Sequence, residues 1–334
     1  MIEERTTLIV RTAHDPASVY ARWRLAGLRT VVLAALLFGL TAVGFGQAKA
    51  PAPSVRSITV ASEPNAKVWI NGVLYGTTSV SGTLTIATVS AGRKTIRVRA
   101  DGFKETTKPL LPTQAGNVAV PLTKTSDEAE LAFQEAERLA SVDRAKAVAA
   151  YERAAGLRPN FVEAYIGQAR TLLEMGEIEK VEAAIAKARK AKPWLAEASV
   201  IEGRLQKSIG ENDKAVAAFR RAIKESGGFQ PEAYAGLGLF YKERAEESSS
   251  SGEFEQETAH WAEAAKNLNL AIKQLSGSPD STVMYQMLGL VYEQQKKPAA
   301  AIAVYQEFLK FFPGHPETEA FQSFITQLRK QSEQ

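Results

Sequence analysis

Residues 160–193, NFVEAYIGQARTLLEMGEIEKVEAAIAKARKAKP, decide the fold of most of the chain. Apolar residues recur in this stretch at three- and four-residue spacing, which predicts two amphipathic helices. Gly176 stands between the two patterns, where a turn is needed, and Pro193 closes the stretch. Because the period is about 34 residues, the stretch predicts one helix–turn–helix unit of a repeat array.

The same order of small, bulky and turn residues recurs on both sides of this stretch. It resembles the tetratricopeptide repeat (TPR), in which small residues let two helices approach and bulky ones fill the space between units. The resemblance predicts an all-α solenoid of five units over residues 126–330, with residues 317–330 as a closing helix. The matching residues of the other units are Ala136, Leu139, Ala147, Tyr151, Ala154 and Pro159; Gly203, Gly210, Ala215, Phe219 and Ala222; Ala233, Tyr234, Leu237, Gly238, Tyr241, Ala264, Leu268 and Ala271; and Tyr285, Leu288, Gly289, Tyr292, Ala301, Tyr305 and Pro313.

A polar stretch interrupts the fourth unit at residues 246–253, EESSSSGE. No helical period accounts for it, and its composition is typical of a flexible loop. An inserted segment that binds a partner is the alternative, because insertions in helix pairs fall at turns on one face of the array.

Residues 57–123 show a different pattern, in which short β-branched runs are separated by turn residues. In residues 94–100, KTIRVRA, apolar and basic residues alternate, so a strand with one buried face and one solvated basic face is expected. Asn71-Gly72 lies between two such runs and predicts a type I′ hairpin, because both residues tolerate positive φ.

Three segments of this region resemble the PEGA family of small β domains, which occur mainly in bacterial and archaeal surface proteins. They are SEPNAKVWING at 62–72, GTT at 76–78 and the Asp-Gly-Phe at 101–103. The resemblance implies a small all-β domain of sandwich type with an accessory role at the cell surface. Two roles are open for the aromatic and basic residues of this domain. The aromatic residues either belong to the core or stack on a cell-wall polymer; they are Trp69 and Tyr75. The basic residues either form a solvated strand face or attract an anionic polymer; they are Arg93, Lys94, Arg97 and Arg99.

The N-terminal segment contains an uncharged apolar run at residues 30–48, TVVLAALLFGLTAVGFGQA, with Arg22, Arg24 and Arg29 before it. A basic region, an apolar region and small residues follow one another in the order of a secretory signal peptide. The length also suits an uncleaved anchor in the inner membrane, and a buried soluble helix is the third alternative. The first two alternatives for residues 1–50 predict a periplasmic or cell-surface protein.

Composition excludes several classes of function. The 41 basic and 37 acidic side chains nearly balance, which leaves no extended basic footprint for nucleic acid. The chain has no cysteine and only three histidines, without the spacing of a metal site. It also lacks nucleotide-binding glycine loops and nucleophile motifs, so we expect no catalysis, cofactor or metal.

A candidate binding surface follows from the repeat register. In tetratricopeptide arrays the first helix of each unit lines the concave surface, and its residues away from the packing positions face a partner. Arg170 and Arg204 share one repeat position and predict a basic row that suits an acidic segment; solvated arginines paired with nearby glutamates are the alternative. The candidate partner-binding residues are Glu163, Arg170, Leu173, Glu197, Arg204, Lys207, Leu239 and Lys242, and the same register includes Ile166, Val200, Glu232 and Ala235.

These observations predict an α+β multidomain protein, in which a small PEGA-like β domain precedes a TPR solenoid. The leading hypothesis is a non-catalytic bacterial envelope adaptor that binds a protein or peptide in the concave groove. The alternative is a polymer-binding protein, whose β domain contacts glycan in the cell wall while the repeats serve oligomerisation. A structural spacer is the third.

Overall fold

The computed structural model describes residues 56–90 and 92–332. Residues 1–50, with the predicted signal or anchor, lie outside this part of the chain. The described residues form nine strands followed by eleven helices. The strands are β1 Arg56–Ala61, β2 Lys67–Ile70, β3 Val73–Thr77, β4 Thr83–Val89, β5 Lys94–Arg99, β6 Phe103–Lys104, β7 Thr106–Leu110, β8 Gly116–Ala119 and β9 Thr123–Lys124.

The β domain is a sandwich of two small sheets. One sheet has the order β4-β1-β8 and the other β3-β2-β5-β7, while β6 and β9 form a separate pair. Apolar side chains from both sheets share one core; Ile58 and Val60 of β1 and Ile96 and Val98 of β5 are fully buried. The alternation of apolar residues therefore reports correctly which face of each strand turns inward.

Turn residues connect these strands as their chemistry requires. Asn71 and Gly72 have φ of 50° and 83°, the two positive values of the predicted type I′ hairpin. The Asn71 side chain also accepts a hydrogen bond from the backbone N–H of Thr95 at 2.8 Å, which ties the hairpin to β5. Asn65, at the position where PEGA sequences often have glycine, has φ of 57°.

The helices form five pairs and a closing helix. Their bounds are α1 Glu128–Leu139, α2 Arg144–Leu157, α3 Val162–Met175, α4 Ile178–Ala191, α5 Ala196–Ser208, α6 Asn212–Glu225, α7 Pro231–Ser250, α8 Phe254–Leu275, α9 Thr282–Gln294, α10 Pro298–Phe311 and α11 Thr318–Ser332. Helix α11 buries Phe321, Ile325 and Leu328 against the last pair, as the sequence predicts for the closing helix. No described helix is long and apolar enough to span a membrane.

Aromatic side chains pack against glycines at the contacts between helices. A Cβ on Gly289 of α9 would lie 2.0 Å from the Tyr305 ring of α10, and one on Gly203 of α5 would lie 2.7 Å from Phe219 of α6. Real Cβ atoms do not approach so closely, so these helices can meet only where the side chain is absent. The small and bulky positions of the repeat are therefore complementary halves of one contact.

The loop predicted at residues 246–253 is wrong for residues 246–250, through which α7 extends; residues 251–253 form the turn to α8. Helices α7 and α8 have 20 and 22 residues and pack along each other. Ser250 and Ser251 donate side-chain hydrogen bonds to carbonyls one turn back, at 2.9 and 3.0 Å. Ser248 is buried and hydrogen-bonds Nδ1 of His260 at 3.2 Å. Local hydrogen bonds and the neighbouring helix thus outweigh the low helix propensity of serine.

We predict that Gly289→Ala destabilises the protein, because the new methyl group overlaps the Tyr305 ring; overpacking of this kind costs about 1–3 kcal/mol. Gly156→Ala is the matched control, since a Cβ there meets nothing within 4 Å. Removal of a helical glycine should then stabilise by roughly 0.5 kcal/mol. Urea unfolding of both variants measures the difference, and equal midpoints would contradict the packing described above.

Candidate protein-binding groove

The β domain lies over the inner surface of the helical array, and the two line an open cavity of about 670 Å³. One wall comes from β2, β5 and the hairpin that follows β2. The other comes from α1 and the first turns of α3, α5 and α7, together with the turn between α8 and α9. The cavity is lined by charges of both signs, from Arg97, Arg99, Arg170, Lys192, Glu137, Glu163, Glu197, Glu232 and Asp280.

Helix α1 holds the β domain at one end of the cavity. The Gln134 side chain accepts a hydrogen bond from the backbone N–H of Gly102 and donates one to the carbonyl of Phe103, both at 2.8 Å. Because Gln134 is only 3% exposed, the loss of the bond from Gly102 would leave its buried amide oxygen without a partner. No motif in the sequence marks this glutamine as a contact between domains.

Arg99 is the central charge of this contact. Its guanidinium donates to Glu105 from Nε at 2.9 Å and lies 3.6 Å from the Glu137 carboxylate of α1. It also stacks over the Phe133 ring at 4.5 Å. The solvated basic face predicted for β5 is therefore wrong at Arg99, which is 9% exposed, since that face packs against α1.

The aromatic residues of the β domain offer no open platform for a sugar ring. Trp69 is 9% exposed, and the Arg97 guanidinium lies over its ring at 4.3 Å. Burial lowers the pKa of Arg97, whereas the nearby Glu105 carboxylate raises it. Tyr75 contacts the helical array, and burial raises its pKa to about 12.

The turn between α8 and α9 holds the β domain at the other end of the cavity. The Tyr75 hydroxyl shares its proton between the carbonyls of Leu275 and Ser276, at 3.2 and 3.3 Å. The Ser278 hydroxyl donates to the carbonyl of Leu74 at 2.6 Å. These contacts join residues about 200 positions apart, so local sequence pattern carries no signal for them.

The candidate residues divide into two groups. Glu163, Arg170 and Glu197 line the cavity, as does Glu232 from the same register. The remaining five lie outside its lining, farther along the first helices; they are Leu173, Arg204, Lys207, Leu239 and Lys242. Val200 is fully buried in a core cluster, so its place in the predicted register is wrong.

The basic row is largely neutralised by carboxylates. Arg170 binds Glu232 through two parallel hydrogen bonds, at 2.9 and 2.7 Å, and thereby joins α3 to α7. Lys207 pairs with Glu243 at 2.7 Å, and Lys242 pairs with Glu246 at 2.5 Å. Glu174, which is close to Arg170 in the sequence, pairs instead with Arg144 at 3.0 Å. Arg204 is exposed, and within the described residues it forms no ion pair.

The Arg170–Glu232 pair shifts both pKa values in the direction of the charged forms. Burial acts to lower the pKa of Arg170, but the Glu232 carboxylate raises it overall. Burial likewise acts to raise the pKa of Glu232, but Arg170 lowers it, with a further contribution from Arg204. Burial and the Glu232 carboxylate together raise the pKa of Asp280, so the charged form of this cavity residue is destabilised.

No described cluster of three or more histidine or acidic side chains is placed to hold a metal ion. The cavity's titratable groups are arginines, one lysine and carboxylates. Bidentate pairs of arginine and carboxylate serve to orient and bind, so the arrangement suits recognition of a polar segment.

We predict that Arg170→Ala lowers the free energy of unfolding by about 1 kcal/mol, after allowance for screening at a half-exposed pair, whereas Arg204→Ala changes it by less than about 0.5 kcal/mol. The folded-state pKa of Glu232 is lowered, so its stabilisation is complete above the unfolded pKa and lost as pH falls through the folded value. Urea unfolding at neutral and acidic pH tests both points. A cost of Arg170→Ala that persists at acidic pH would contradict the assignment.

Two family models match the chain. Residues 55–126 match the PEGA domain, and residues 283–315 match a tetratricopeptide repeat. No curated protein matches as a relative.

Several solved structures share the helical fold. Yeast Tom70 is 16% identical with a TM-score of 0.50, over 62% of this chain and 41% of that one. A thermophilic TPR protein of Thermus thermophilus is 16% identical with a TM-score of 0.43, over 59% and 99%. The MamA protein is 21% identical with a TM-score of 0.39, over 57% and 94%. At these identities the likeness concerns the fold alone. The tetratricopeptide repeat matched at residues 283–315 points to a scaffold for protein–protein interaction. The chain thus contains a PEGA domain at residues 55–126, followed by an array of TPR-type helix pairs.

Proposed function

We propose that the protein is a non-catalytic adaptor of the bacterial cell envelope, which binds a partner protein through the inner surface of its helical array. One observation carries the proposal. Polar residues at equivalent positions of successive first helices, Glu163, Glu197 and Glu232, line one cavity together with Arg170. A row of this kind repeats along the array and suits an extended segment with regularly spaced contacts.

The ion pairs bear on the chemistry of that partner. Arg170, Lys207 and Lys242 already contact carboxylates of this chain, which leaves less positive charge for an acidic ligand than the arginine row predicts. Glu163 and Glu197 are exposed and form no ion pair with other described residues. We therefore propose a partner segment with groups of both signs, rather than a uniformly acidic one.

The envelope location rests on the sequence of residues 1–50. An apolar run preceded by arginines directs the following domains across the inner membrane, whether or not it is cleaved. A PEGA domain next to this segment is consistent with a role near the membrane or the cell wall.

The location predicts that alkaline phosphatase, which is active only after export, is active when fused after Gln334 of the full chain. The same fusion without residues 2–50 is the control and should be inactive. An active cytoplasmic β-galactosidase at the same position, together with an inactive phosphatase, would overturn the envelope assignment without bearing on the binding surface.

Site-specific photocrosslinking in living cells tests the binding surface. A photoreactive residue at Arg204, which is exposed on α5, should give an adduct of defined mass with one partner protein. Lys180 is the matched control, because it is exposed on the second helix of the preceding pair. Adducts of equal yield at both positions, or none at Arg204, would contradict binding by the inner surface.

A further inference from the structure

The β domain and the helical array do not share a hydrophobic core. The buried side chains of the β domain form one cluster, and those of the helices form separate clusters. The contacts between the two parts are hydrogen bonds, ion pairs and arginine–aromatic stacking, and a cavity remains among them. Polar, incompletely packed interfaces of this kind permit domains to separate without loss of either core.

The β domain contacts the helical array at both ends of the cavity, and only one of these ends adjoins the covalent link between the two parts. At the first end, the backbone N–H of Thr125 bonds the Gly102 carbonyl at 3.0 Å, and Asp127 caps α1. Ser126 is the single residue between these two attachments. At the second end, the chain offers no such continuity. Tyr75 and Leu74 of β3 meet the turn of residues 275–278 through hydrogen bonds, and Thr88 of β4 lies beside Gly277.

We propose that residues 56–124 form a lid over the inner surface, which pivots at Ser126 and is held shut by the turn of residues 275–278. Rotation about the pivot breaks the hydrogen bonds of Tyr75 and Ser278, and it also displaces Arg99 and Gly102 from their partners Glu137 and Gln134 on α1. The lid and Glu163, Arg170, Glu197 and Glu232 line the same cavity, so a partner bound there competes with the closed lid for the same space. The competition rests on the proposed function, whereas the opening of the lid does not.

The geometry of the latch supports this assignment. Ser276 and Gly277 have φ of 48° and 79°, a conformation that directs the carbonyls of the turn towards Tyr75. The phenol is protonated at neutral pH, as tyrosines ordinarily are, and burial raises its pKa further, to about 12, so it can donate throughout the physiological range. The latch thus consists of two hydroxyl donors and three backbone acceptors, and no charged side chain takes part in its hydrogen bonds.

Removal of the two hydroxyls tests the latch without any partner. Val80 of the lid and Val283 of α9 are both exposed and can be replaced by cysteine for spin labelling. The labels attach only at these two sites, because the chain has no cysteine of its own. Tyr75→Phe with Ser278→Ala should add a longer-distance population to the pulsed-EPR distribution. Tyr165→Phe with Ser226→Ala, which removes two hydroxyl–carbonyl bonds within the array, is the matched control and should not. An unchanged distribution in the latch variant would overturn the lid.

A disulfide lock tests the competition. An ideal Cβ on Gly277 lies 2.8 Å from Oγ1 of Thr88, which puts the two Cβ positions about 4 Å apart, within disulfide range. Thr88→Cys with Gly277→Cys therefore permits one bridge, between lid and turn. A photoreactive residue at Glu197, which lines the cavity together with the lid, should give the partner adduct in the reduced form and lose it in the oxidised form. Each single variant, checked for native circular dichroism, controls for strain at Gly277.

The outcomes separate the two proposals. An adduct that survives in the oxidised lock would show that lid and partner do not compete, and it would overturn that part of the inference. A complete lack of adducts, in locked and unlocked forms alike, would reject the proposed function. The distance measurement would then still decide whether the lid opens.

Discussion

The close approach of helices at small residues is the constraint on which the rest of the structure depends. Tyr305 lies where a side chain on Gly289 would have to be, and Phe219 bears the same relation to Gly203. Because such contacts set the distance and angle between the helices of each pair, every pair presents its first helix to the same side of the array. The repeated positions of Glu163, Glu197 and Glu232 on one surface follow from this stacking.

Ion pairs between repeats organise much of the charge on that surface. Arg170 reaches Glu232 across 62 positions, and Lys207 reaches Glu243 across 36. Each pair joins the first helices of two different repeats. The result is an inner surface with carboxylates and cations side by side, which is suited to recognition of polar segments but not to strong attraction of one sign.

The β domain meets the array through polar contacts centred on Arg99. A guanidinium is buried there only because Glu105 and Glu137 accept its hydrogen bonds or balance its charge, and because Phe133 covers its face. Contacts of this type are specific in geometry yet leave each core complete. A domain held in this way can cover a surface and release it, whereas a shared hydrophobic core would bind the two parts permanently.

Periodicity in the sequence determined both fold classes, the five helix pairs, the closing helix and the Asn71-Gly72 hairpin, because these depend on interactions between residues close in the chain. Tertiary structure alone decided the helical course of residues 246–250, the burial of Arg99 and the pairing of Arg170. It also decided the contact of Tyr75 with Leu275, 200 positions away. These features depend on which surfaces meet when residues far apart in the chain pack together. A repeat period describes residues close in sequence, so it does not encode those contacts.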